Sequence, residues 1–164
     1  MSAFKTRAHV HRSIGSPVLY NFDPFLILDE FNVGLPGGFP DHPHRGFETV
    51  TYVLPTSKGG MRHEDFMENK GELRPGDLQW MTPGRGIMHA EMPTSTEPAH
   101  GLQLWVNLPK ERKMIKHDTK RDGQMADTNV VAHEAVAMEK EGDGVLLTAV
   151  QDDNLEVVVV TGEL

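Results

Sequence analysis

All eleven prolines and most of the sixteen glycines fall within the first 110 residues, where they cut the chain into short apolar runs. Proline removes a backbone donor and glycine tolerates turn geometry, so runs bounded in this way become strands joined by tight turns. The predicted strands are Val18–Tyr20, Phe25–Phe31, Phe47–Leu54, Gly60–Met67, Leu78–Met81, Ile87–Met92, Leu102–Leu108, Val145–Val150 and Leu155–Thr161. Turns are expected at Leu35-Pro36-Gly37-Gly38, Arg74-Pro75-Gly76-Asp77 and Pro83-Gly84-Arg85-Gly86. Strands so short and evenly spaced fit an all-β sandwich or barrel.

Between Lys110 and Gly144 the texture turns charged and polar, with weak helical periodicity at Ala135, Ala137 and Met138, and reads as a loop or short excursion. A single domain over residues 1–164 is expected, because the length is close to the ~100–150 residues of one domain and 38% hydrophobic residues can build a core. The 16 basic against 24 acidic residues leave a net charge of −8, which argues against direct nucleic-acid binding. Lys5, Arg7 and Arg12 make a local basic segment that reads as a solvated edge. The absence of cysteine excludes a disulfide scaffold, a thiol nucleophile and thiolate metal sites. No apolar run exceeds four residues, the length of Val157 to Val160, far below the ~20 of a membrane helix, so no membrane is expected as partner. With no apolar stretch near Met1, an intracellular chain is expected, cytoplasmic or nuclear.

The histidines carry the chemical signal. In Asp41-His42-Pro43-His44-Arg45-Gly46-Phe47-Glu48, an extended strand puts His42 and His44 on one face, with Glu48 on the same side further along. Gly86-Ile87-Met88-His89-Ala90-Glu91 repeats the spacing with His89 and Glu91. Set side by side in a barrel, the two strands converge three imidazoles and one carboxylate. Such donors suit Fe(II), Mn, Ni, Cu(II) or Zn better than Mg or Ca, and four of them on an octahedral ion leave two positions open. Asp41 or Glu48 would orient a ligand imidazole, or stand as an ordinary polar residue.

The other histidines read as ordinary. His9 and His11 precede any core strand and are expected in solvent, His63 and His100 as structural hydrogen-bonders, and His117 and His133 in the polar excursion. Met81, Met88 and Met92 either line a pocket or fill the core, and Trp80 and Trp105 read as core or interface aromatics. No serine-hydrolase elbow, P-loop or dinucleotide fingerprint is present.

The segment from Gly37 to Tyr52 resembles the first cupin motif in the form characteristic of pirins, as do HEDF at His63–Phe66, PGDLQWMT at Pro75–Thr82, GRGIMHAEMP at Gly84–Pro93 and GLQLWVNLP at Gly101–Pro109. The resemblance covers most of residues 7–110 and weakens beyond Lys110. It implies a cupin jelly-roll β-barrel with an iron centre, Fe(II) for preference, held by His42, His44, His89 and Glu91. Glu48 is the second choice for the carboxylate, because many cupins use the glutamate of the first motif. The insertion Pro55-Thr56-Ser57-Lys58 departs from the motif by displacing its last glycine.

Two functions follow from the resemblance. One is a quercetinase-like dioxygenase that cleaves a flavonol with O2, with Glu91 as catalytic base. The other is an iron-containing, redox-sensitive transcriptional co-regulator whose partner is a transcription factor. Pirins are two-domain bicupins nearly twice as long, so this chain is expected to supply roughly the first barrel. The strand Leu155–Thr161 and the outward residues of Leu102–Leu108, including Trp105, are then candidates for exposed apolar surface. A homodimer burying at least ~1,000 Å² would cover them.

Overall fold

Strand β8 (Ile87–Pro93) shows how the sequence builds the barrel: Ile87, His89, Glu91 and Pro93 are buried, while Met88, Ala90 and Met92 are exposed or half-buried. Period-two alternation therefore sends both ligand candidates of this strand inward. The structure is a computed structural model that describes residues 8–20 and 22–122, together with the strands at 136–141, 144–150 and 156–160.

Contacts divide the chain into two units, Met1–Gln124 and Met125–Leu164. The first contains two antiparallel sheets. The larger runs β1 (Val10–Ile14), β2 (Phe25–Val33), β9 (Ala99–Asn107), β4 (Phe47–Val53), β7 (Leu78–Thr82) and β10 (Asp118–Asp122). The smaller runs β3 (Phe39–His44), β8, β5 (Met61–Asp65) and β6 (Lys70–Leu73). The chain passes repeatedly from one sheet to the other, which is the all-β cupin jelly roll expected from the sequence. Phe31, Val33 and Val53 of the larger sheet pack with Met61 and Leu73 of the smaller one and with Ala99. Each large apolar side chain withdrawn from water there contributes ~1.5–3 kcal/mol. In the second unit, β11 (Val136–Glu141), β12 (Gly144–Val150) and β13 (Glu156–Val160) form an antiparallel sheet.

Several expectations need correction. Val18–Tyr20 is a loop, with Val18 and Tyr20 exposed and the Gly15 and Ser16 amides both donating to the Leu19 carbonyl. The polar excursion contains a 3-10 turn at Lys110–Arg112 and the strands β10 and β11, with residues 123–135 outside the described part. Those two strands, like β1 and β6, were not legible because all four lie at sheet edges. An edge strand buries less and carries more charge, so its alternation is masked.

The N-terminal basic segment is not simply solvated. Arg12 Nε and Nη2 donate to the two carboxylate oxygens of Asp29 at 2.7 Å each, tying β1 to β2. His9 and His11 are exposed as expected, and Lys5 and Arg7 lie outside the described residues. Leu102, Leu104, Val106 and Leu108 are buried, so they do not offer the exposed apolar face expected of them. The side chains of the segment Leu155–Thr161 also lie outside the described residues.

Candidate metal centre

Two turns deliver the ligand pairs. Gly46, with φ +77°, turns the chain between β3 and β4, and its amide donates to the Gly84 carbonyl in the β7–β8 turn at 2.8 Å. Lys113 Nζ reinforces the first turn by donating to the Gly46 carbonyl at 2.9 Å and to Asn107 Oδ1 at 2.6 Å. With the turns joined, β3 pairs antiparallel with β8 and His42 lies opposite His89. His42, His44 and His89 each present a ring nitrogen, and these three atoms lie within 4.8 Å of one another.

The cluster fits a metal ion in three respects. His42 Nδ1 meets the Pro40 carbonyl at 2.8 Å, which makes Nδ1 the protonated nitrogen and leaves Nε2 with its lone pair. That Nε2 lies 3.0 Å from His89 Nε2. Two nitrogens each ~2.1 Å from one ion lie no more than ~4.2 Å apart, so the His42–His89 pair already falls within the reach of a single ion. His44 is buried and neither of its ring nitrogens has a hydrogen-bond partner, an expense that a metal would relieve.

Electrostatics favour the same use. Burial pushes the His44 imidazole down to about 3, with His89 and His42 adding to the shift. His89 is also pushed down to about 3, again mainly by burial, with His42 and His63 lowering it further and Asp65 opposing them. Both rings are therefore neutral near pH 7, as metal ligation requires.

Glu91 is 1% exposed and sits on β8 beside this cluster but is not one of its three members. Its Oε1 accepts from Thr51 Oγ1 at 2.9 Å and its Oε2 from Gln103 Nε2 at 2.8 Å. Glu48 is placed differently from the sequence expectation. The strand carrying His42 and His44 ends at His44, and the turn at Arg45-Gly46 breaks the alternation, so Glu48 begins a new count on β4. There its Oε1 accepts from Thr82 Oγ1 at 2.9 Å. Asp41 is exposed, and the orienting partner of His42 is the Pro40 backbone.

Four contributors were missed at the sequence level. Thr51, Gln103, Trp105 and Phe47 line the same interior, in register through Thr51 opposite Gln103 and Thr49 opposite Trp105. The Trp105 ring stacks on Phe47 at 4.4 Å and meets His44 edge-on at 5.0 Å, so it belongs to the site wall. The alternation of Gln103 and Trp105 within GLQLWVNLP was the available signal. His63 and Asp65 face the same interior, opposite Glu91 and His89 on β5. His100 instead bonds Glu30 at 2.7 Å, His117 meets the Phe66 ring at 5.3 Å, and His133 is outside the described residues. Met81 is core, whereas Met88 is exposed on the outer face of β8.

A jelly roll with three converging imidazoles, two of them buried, defines a cupin barrel with a candidate metal centre. Residues 6–106 match the family model described as Pirin, and the chain belongs to the Pirin family. Human Pirin is 67% identical over 109 residues, a match covering 66% of this chain and 37% of that protein. The matches span little more than a third of the length of these curated relatives. Among solved structures, a quercetin 2,3-dioxygenase from Acinetobacter baumannii aligns with a TM-score of 0.66 at 25% identity, covering 85% of this chain and 52% of that one. The bacterial pirin YhhW from Escherichia coli, solved in complex with nickel(II), aligns at 0.61 and 27% identity, covering 74% and 52%. Among the described residues, no helix is long and apolar enough to cross a membrane.

Proposed function

We propose that the chain is a metal-dependent dioxygenase that opens the heterocycle of a flavonol with O2, holding Fe(II) through His42, His44, His89 and Glu91. The observation that carries the reading is the convergence of three imidazoles, one of them buried with both ring nitrogens unpartnered. The similarity to a protein named quercetin 2,3-dioxygenase supports the substrate class, and the nickel(II) complex of YhhW supports the binding of a metal ion. We assign the chemistry to the single cupin barrel within residues 8–122.

The bound ion would supply Lewis acidity toward the flavonol 3-hydroxyl and a redox partner for O2. The chain's own residues do the rest. His42 is aimed by the Pro40 carbonyl, and His44 is braced by Trp105 and Phe47. A Glu91 carboxylate oxygen takes the 3-hydroxyl proton, leaving the electron-rich anion that reacts with O2. Trp105 and Phe47 give an apolar wall that limits water and matches a planar aromatic ring.

Oxygen uptake with quercetin by iron-loaded protein tests the proposal. Uptake matched by loss of quercetin, and abolished in His89→Ala, is expected. No uptake by the iron-loaded wild type, or undiminished turnover in His89→Ala, would overturn it.

A further inference from the structure

The Glu91 carboxylate is held by a chain of side chains that ends against a different ligand. Trp105 Nε1 donates to Gln103 Oε1 at 3.1 Å, and indole nitrogen can only donate, so this bond fixes which end of the Gln103 amide faces which way. Gln103 Nε2 is thereby turned toward Glu91 Oε2 at 2.8 Å and also reaches Thr51 Oγ1 at 3.2 Å. The Thr51 hydroxyl in turn donates to Glu91 Oε1. Each carboxylate oxygen thus receives one donor and keeps lone-pair capacity for an ion. At its other end, the Trp105 ring packs edge-on against His44.

We propose that Gln103 is a positioning residue for the metal: with its amide orientation set by Trp105, it holds the Glu91 carboxylate in the plane from which Glu91 completes the three-histidine site. The inference rests on the ligand set proposed above. It goes beyond that set because it assigns a role to two β9 residues that are not ligands. A flipped Gln103 amide would aim Oε1 at the carboxylate, oxygen against oxygen, and push Glu91 out of place. Removing only the indole N–H therefore acts on Glu91 through Gln103.

The test is Co(II) binding to the full chain, followed by titration and by the visible absorption that reports the number and kind of ligands. Wild type, Glu91→Gln, Gln103→Met, Trp105→Phe and the Gln103→Met/Trp105→Phe double variant are compared, with circular dichroism confirming that each is folded. Trp105→Phe keeps an aromatic ring against Phe47 and His44 while deleting the donor, so it guards against simple misfolding of the Gln103 variant. Gln103→Met is expected to weaken Co(II) binding roughly 10–100-fold, as loss of an outer partner of a metal ligand does. Its spectrum should shift in the same sense as that of Glu91→Gln. Trp105→Phe should weaken binding less, and the double variant should be no worse than Gln103→Met alone, because both act through one amide. Wild-type affinity and spectrum in Gln103→Met, or losses that multiply in the double variant, would overturn the positioning role. Absence of Co(II) binding by wild type, or full affinity in Glu91→Gln, would instead overturn the ligand set itself.

Discussion

His44 and His89 place a measurable cost on the protein when it is free of metal. Their folded-state values of about 3 lie below the ordinary 6.5 of histidine, so protons that the unfolded chain binds are refused by the folded one. The stability they contribute is complete above about pH 6.5 and is lost as the pH falls from there toward 3. The slope is on the order of 1 kcal/mol per group for each pH unit. Melting curves of metal-free protein should therefore drop between pH 7 and pH 5, and the drop should shrink in His44→Phe, which removes one of the two groups. An unchanged melting temperature over that range would contradict the burial of neutral imidazoles. At this scale the histidine pairs were legible, because a two-residue spacing on a strand decides a shared face without knowledge of the fold. Glu48 was misread because alternation was counted through Gly46, where the chain turns. Gln103 and Thr51 stayed hidden because their meeting with Glu91 depends on register between strands distant in sequence.

Strand β9 is the element on which the site leans, since its inward residues Gln103 and Trp105 reach Glu91 and His44 while Leu102 and Leu104 are buried on the opposite face. It lies between β2 and β4, and close packing there leaves no room at Gly101. A Cβ at that position would sit 2.4 Å from the Tyr52 carbonyl oxygen and 2.4 Å from Phe31 Cζ. Gly101→Ala is expected to cost ~1–3 kcal/mol, as overpacking does, and to be seen as a lower denaturation midpoint. A midpoint equal to that of wild type would mean that β2, β4 and β9 pack more loosely than described. Central strands such as β4, β7 and β9 were legible because their apolar runs are dense, and β8 because its buried residues alternate with the outward Met88, Ala90 and Met92. The edge strands β1, β6, β10 and β11 were not, because VHRSI, KGEL, DTKRD and VAMEKE carry the polar residues an edge tolerates.

For the molecule as a whole, the apolar-surface argument for a second copy loses its described half. Leu102 to Leu108 are buried or half-buried, and Trp105 turns into the site wall. The exposed large apolar side chains among the described residues lie elsewhere, at Val18, Leu19, Tyr20 and Phe22 between β1 and β2, and at Leu35, Phe66, Met67, Met88 and Met114. Membership of the Pirin family and the jelly roll account for the barrel, and the function hangs on whether that barrel holds an ion. The most direct measurement is therefore the metal content per chain after anaerobic loading with Fe(II) and removal of excess, made on wild type and on His89→Ala. One ion per chain in wild type and close to none in the variant is the predicted result. No bound iron in wild type, or the same amount in both proteins, would contradict the account.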